Sequence, residues 1–191
     1  IDISNWVFNE VCANIKQWKA QNRQELQVSI NTSPSHYFNL ESNITQWLNL
    51  LLDQKISARS ILLEVTENLL MEANEMVSKK LFQFRQAGVD IALDDFGTGY
   101  SSISYLKRFP TDFIKIDRSF VKSMTDVSND KVLCEAIIVM ANKLGIKVVA
   151  EGVETQEQYD ILKSMGCDYA QGYFIAKPLS KSDFESFWER H

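Results

Sequence analysis

Apolar residues recur along this chain with two alternating periods. Between positions 4 and 20, Trp6, Val7, Val11, Ile15 and Trp18 fall at helical spacing and predict an amphipathic helix. Positions 26–30 predict a short strand ending at Asn31, and 40–52 a second helix. A strand over 61–63 meets Glu64. A helix over 74–87 is stopped by Gly88. The strand over 89–93 runs into Asp94 and Asp95, a short helix is expected over 101–107, and Pro110 lies beyond it. A strand over 113–116 carries Lys115. The long helix over 129–144 stops at Gly145, and the strand over 146–150 ends at Glu151. A helix over 155–165 stopped by Gly166, a strand over 169–174 carrying Gln171, and a helix over 181–188 complete the pattern.

That is a helix followed by six strand-then-helix units. Such alternation predicts an α/β fold with a parallel sheet, either a barrel or a doubly wound layer. Segments such as LQVSI and IKVVA are nearly all apolar, as strands buried on both faces are. Polar residues interrupt these runs at the carboxyl ends: Asn31, Glu64, Asp94 with Asp95, Lys115 with Asp117, Glu151 and Gln171. In a parallel barrel all strand ends converge on one mouth. In a doubly wound sheet only those near the switch point do. Six contributing strands favour the barrel.

Composition narrows the function. With 191 residues, 45% of them hydrophobic, and no linker or low-complexity stretch, one domain over 1–191 is expected. A net charge of −5 argues against a DNA or RNA polymer as partner. The apolar runs are too short to span a bilayer and no secretory signal is visible. The expectation is a cytoplasmic domain whose parent protein can carry a membrane anchor. Cys12, Cys134 and Cys167 are odd in number and widely spaced, which predicts free thiols rather than zinc ligands or disulfides. His36 and His191 read as loop and terminal residues, and the four tryptophans as core.

Four or five acids in one mouth would repel each other, and a divalent cation relieves that cost. The donors are all oxygen, which suits Mg²⁺, Mn²⁺ or Ca²⁺ rather than zinc. Adjacent Asp94 and Asp95 can serve two neighbouring ions, a recurring arrangement for phosphate-ester hydrolysis. Lys115 can then stabilise negative charge or orient water. Each acid also has a plainer reading. Glu64 can be a helix N-cap, and Asp94–Asp95 before Phe-Gly-Thr-Gly can be a simple turn.

The segments SINTSP, LLEVTEN, IALDDFGTGYSSISYLKRFP, FIKIDRSFV, VVAEGVET and AQGYFIAKP resemble, in the same order, the EAL family of cyclic di-GMP phosphodiesterases. The resemblance implies a modified (β/α)8 TIM-type barrel and hydrolysis of cyclic di-GMP to linear pGpG with two Mg²⁺ or Mn²⁺ ions. It implies Asn31, Glu64 and Asp94 around one ion, with Asp94 shared by a second that Asp95 and Glu151 also hold. Lys115 would contact the attacking water and Gln171 would help hold the water or phosphate end. Glu67 would fix the loop from Asp94 to Ser102, and Glu154 would support the mouth; as plainer readings, each opens a helix. Asp117 supports the site or forms a salt bridge. Phe96 and Tyr173 stack on guanine or pack in the core or rim. Gly97 and Gly99 give the loop torsions that other residues resist. The helices over 101–107 and 129–144 resemble the family's dimer surface.

The Glu-x-Leu segment that names the family, with a downstream phosphate-contacting Arg, is expected before the first helix, and the chain begins too late to contain it. Two of eight barrel strands are likewise missing from the six counted. The expectation is an N-terminally incomplete domain with weak metal binding and little activity by itself. A diguanylate cyclase or sensor domain upstream is a common companion. The alternatives are a catalytically inactive cyclic di-GMP receptor and a protein-interaction module.

Overall fold

The computed structural model describes residues 2–21, 26–38, 44–99, 106, 108–124 and 128–190. Helix α1 (Asp2–Ala20) buries Phe8, Cys12 and Ile15, spaced four and three residues apart along one face. That face packs on β1 (Val28–Asn31). Helices α2 (Ser35–Phe38) and α3 (Ile44–Asp53) follow, then β2 (Ile61–Thr66). Next come α4 (Glu67–Met71), α5 (Glu75–Gln86) and β3 (Asp90–Phe96). Residues 1–114 form one compact unit and 115–191 a second, and the chain passes between them within β4 (Phe113–Ile116).

In the first unit β1, β2 and β3 lie side by side and parallel, with Asn31 opposite Glu64 and Thr66 opposite Asp94. Strand β2 has neighbours on both edges and every residue from Ile61 to Val65 is buried, which accounts for its unbroken apolar run apart from Glu64. Phe8 stacks on Trp47 with centroids 4.3 Å apart, and Trp47 also meets Phe84 and the His36 ring. His36 is therefore a core residue rather than a loop histidine. Its Nδ1 lies 3.2 Å from the Ser33 carbonyl, and burial lowers its pKa. Lys80 reaches the same place from α5 and donates to the carbonyls of His36 and Tyr37 at 3.2 and 2.9 Å, satisfying the end of α2. Trp6 departs from expectation: it is 64% exposed, on the side of α1 away from Phe8 and Cys12.

The second unit carries α6 (Arg118–Lys122), α7 (Asn129–Leu144), β5 (Lys147–Glu151), α8 (Gln156–Ser164), β6 (Tyr169–Gln171) and α9 (Lys181–Trp188). Strands β5 and β6 are parallel, with Glu151 opposite Gln171. Helix α7 spans the expected residues and ends at Gly145, whose φ of 73° is the left-handed stop that glycine adopts freely. Strand β6 is shorter than the 169–174 expected. It ends at Gln171 because Gly172 then runs against the Val153 backbone. The short helices α2, α4 and α6 were not expected. The helix expected over 101–107 lies outside the described residues except for Leu106, which is buried. Cys12, Cys134 and Cys167 are free thiols, as expected. No described helix is long and apolar enough to cross a membrane.

Candidate active site

In the first unit the site residues stand in the carboxyl-terminal parts of three adjacent strands. Asn31 closes β1 and is exposed, and the next residue anchors it. Thr32 donates its N–H and its hydroxyl to the Glu64 carbonyl, at 3.1 and 2.8 Å, and its Oγ1 lies 3.0 Å from the Tyr37 hydroxyl. The ends of β1 and β2 are thereby fixed to each other. Glu64 sits inside β2 and is buried, which removes the N-cap reading. A buried carboxylate of this kind requires a compensating cation or donors.

Asp94 is buried in β3 and Asp95 beside it is exposed. Neighbours in a regular strand project to opposite faces. Asp95 breaks that alternation with a φ of 54°, in the left-handed region, and the two carboxylates come within 4.8 Å of each other. A non-glycine residue there carries backbone strain, which recurs at functional sites. Thr98 locks the turn by donating both its N–H and its hydroxyl to the Asp95 carbonyl, at 3.3 and 2.9 Å. Gly97 has the positive φ its place in the loop requires, 99°. Gly99 serves differently: a Cβ there would lie 3.3 Å from the Glu67 carboxylate. Glu67 is buried at the start of α4, against the loop it was expected to hold. Phe96 is buried in the core.

In the second unit, Lys115 is buried in β4 and its Nζ lies 2.8 Å from Glu151 Oε1 at the end of β5. The side chains are 5% and 18% exposed, so the pair is only lightly screened by solvent. Asp117 is the N-cap of α6 and accepts from the N–H and hydroxyl of Ser119. Burial raises its pKa, but the Ser119 hydrogen bonds, with Arg118, outweigh that and lower it overall. Glu154 is exposed, one residue before Thr155, the N-cap of α8. Gln171 is exposed beside Glu151 in the β5–β6 register. Tyr173 is 61% exposed with the Lys177 ammonium over its ring.

Sequence reading missed Gln158. It is buried, and its Oε1 accepts from the N–H groups of Glu154 and Thr155 at 2.8 and 3.1 Å. Its Nε2 donates to the Val121 carbonyl at 3.1 Å. The spacing Thr155-x-x-Gln158 carries the capping-box signal that points to the first pair of contacts.

The chain matches the profile of the EAL domain over residues 1–178. It is 36% identical over 185 residues to the cyclic di-GMP phosphodiesterase NbdA of Pseudomonas aeruginosa, covering 97% of this chain and 24% of that protein. The chain thus spans about a quarter of that relative's length. The structure of the PaMucR phosphodiesterase in complex with c-di-GMP superposes with a TM-score of 0.88 at 34% identity, covering 96% of this chain and 80% of that one. The manganese/cy-diGMP complex of Klebsiella pneumoniae BlrP1 at pH 9.0 superposes with a TM-score of 0.79 at 30% identity, covering 93% and 45%. The α/β fold of the TIM-barrel type read from the alternating strands and helices is the fold these structures share.

Proposed function

The chain belongs to the EAL domain family, and on that premise we propose that it hydrolyses cyclic di-GMP to linear pGpG with two divalent cations. The observation that carries this reading is the series of oxygen donors at successive strand ends, with Asp94 and Asp95 turned to within 4.8 Å of each other. The residues fit Mg²⁺ or Mn²⁺. Asn31, Glu64, Asp94, Asp95 and Glu151 offer oxygen ligands, and Glu64 and Asp94 are buried carboxylates whose desolvation a cation would offset. Asn31, Glu64 and Asp94 would hold one ion, and Asp94, Asp95 and Glu151 the other. When bound, such ions neutralise the phosphate and make a water acidic enough to attack at neutral pH.

The chain's own groups do the rest. Lys115, held on Glu151, presents a buried ammonium toward which the attacking water and the charge developing on phosphorus orient. Water oxygen bonds to phosphorus as the bond to the 3′ oxygen breaks, and the proton ends on that 3′ oxygen. Gln171, beside Glu151, supplies amide hydrogen bonds to the water or phosphate. Glu67 holds the loop that carries Asp95, and Glu154 lies at the edge of the site. Asp117 acts as the cap that starts α6 two residues after Lys115.

The same reading pairs this domain with a second copy through α7, whose Val132, Leu133 and Val139 are exposed. It also places the domain in the cytoplasm beside an upstream diguanylate cyclase or sensor domain. The test is cyclic di-GMP hydrolysis with Mn²⁺ or Mg²⁺ by this chain, by a polypeptide extended upstream, and by its Asp95→Asn variant. Production of pGpG that disappears in the variant supports the reading. Binding without hydrolysis in the extended protein replaces it with the receptor function.

A further inference from the structure

We propose that Gln158 is a positioning residue for the Lys115–Glu151 pair: its amide ties the loop that follows Glu151 to the helix that follows Lys115. The inference rests on the phosphodiesterase reading for its catalytic meaning and on geometry alone for the tie.

Lys115 and Glu151 stand on different strands, β4 and β5, and each is followed by a tight exit. After Lys115 the chain turns at Asp117 into α6. After Glu151 it turns at Gly152, whose φ is 70°. The two exits touch: a Cβ on Gly152 would lie 2.6 Å from Arg118 Cβ. Gln158 joins the same two segments by hydrogen bonds. Its carbonyl oxygen takes the N–H groups of Glu154 and Thr155, and its amide nitrogen reaches the Val121 carbonyl in α6. An ordinary capping box needs only the acceptor half of that side chain. The donor half is spent on another element. Gln158 is 8% exposed, so both halves of its amide act away from water, where an unmade bond is costly.

The consequence is geometric. The 2.8 Å contact between Lys115 and Glu151 depends on the spacing of β4 and β5 at their ends, and Gln158 with Gly152 sets that spacing. A displacement on the scale of an ångström at a reacting group costs roughly a hundredfold in rate.

Two variants separate the tie from the cap. Gln158→Met loses both halves. Gln158→Glu keeps the acceptor for Glu154 and Thr155, and can donate to Val121 only when its carboxyl is protonated. In the protein extended upstream, Q158M is expected to lower kcat about tenfold or more with KM for cyclic di-GMP within about twofold. The ratio of Q158E to native kcat should rise as pH falls from 8 to 5, whereas that of Q158M should stay flat. Thermal melting of each variant is measured alongside, and the ¹³C shift of the Glu151 carboxylate is expected to move in Q158M. A native kcat in Q158M, a kcat loss matched by loss of folded protein, or a flat ratio for Q158E overturns the proposal. Absence of hydrolysis by the native protein overturns the phosphodiesterase reading instead. The Glu151 carboxylate shift and the amide exchange of Glu154 and Thr155 then decide the tie, and unchanged values in Q158M refute it.

Discussion

Replacing Gly172 with alanine places a methyl carbon 2.1 Å from the Val153 carbonyl oxygen and 2.4 Å from its nitrogen. Both are backbone atoms, so no rotamer change relieves the clash. The segments must part by more than an ångström to reach an ordinary contact of 3.4 Å. That separation sacrifices the hydrogen bonds from Val153 N–H to Gln171 and from Phe174 N–H to Val153, now 3.1 and 3.0 Å. Overpacking costs roughly 1–3 kcal/mol, and each lost bond adds about 1 kcal/mol. Together they predict a loss of about 3–5 kcal/mol for Gly172→Ala. Gly145 is the internal control. Its φ is 73° with no atom within 4 Å of the added carbon, so alanine there costs only the left-handed backbone, about 1–2 kcal/mol. In a protein of this size 1 kcal/mol shifts Tm by roughly 2–4 °C. Calorimetry should therefore find G172A lowered by roughly 6–20 °C and G145A by roughly 2–8 °C. A G172A protein that melts at or above G145A refutes the claim that backbone contact, rather than torsion, sets the cost at this position.

Asp95→Gly relieves a left-handed residue and should raise Tm by about 2–4 °C. It should also cut hydrolysis by more than the roughly 10–100-fold of an outer-shell change, and a variant both more stable and fully active would remove Asp95 from the site. Lys115→Met removes the ammonium that lies 2.8 Å from the Glu151 carboxylate. Breaking a fully buried pair costs roughly 3–5 kcal/mol, and Glu151 is 18% exposed, so about 2–3 kcal/mol is expected by urea denaturation, partly recovered in K115M/E151Q. Unchanged stability of the single variant would count against the pair. His36 has its pKa lowered by burial from 6.5, so it stays neutral in the fold while the unfolded chain binds a proton. Its contribution to stability is whole above about pH 6.5 and is lost as pH falls from there through the folded pKa. His36→Phe should flatten that part of a stability-against-pH curve, and an identical slope in the variant would reject the assignment.

What the sequence makes legible is what local chemistry dictates. An oxygen donor interrupting an apolar run marks the carboxyl-terminal part of a strand, which is why Asn31, Glu64, Asp94 and Glu151 are legible in the sequence as residues of β1, β2, β3 and β5, although β2 runs on to Thr66 and β3 to Phe96. The long helix over 129–144 was legible because it is long and Gly145 stops it, and the structure adds the Ser128 cap that fixes its start. Helices α2, α4 and α6 are four or five residues long, too short for any period to show. Tyr173, Phe174 and Ile175 look like the rest of β6, yet all are exposed; what ends the strand is the closeness of Val153 to Gly172, a contact between residues 19 positions apart. His36 is buried by Trp47 and capped below by Lys80, partners that only folding delivers. Gln158 shows the division within one side chain. Its acceptor bonds are local and announced by Thr155 three residues earlier, whereas its donor bond crosses 37 residues to Val121. The local half would stabilise any helix start; the distant half joins two strand exits, and it is the half through which a change at position 158 can reach the Lys115–Glu151 pair.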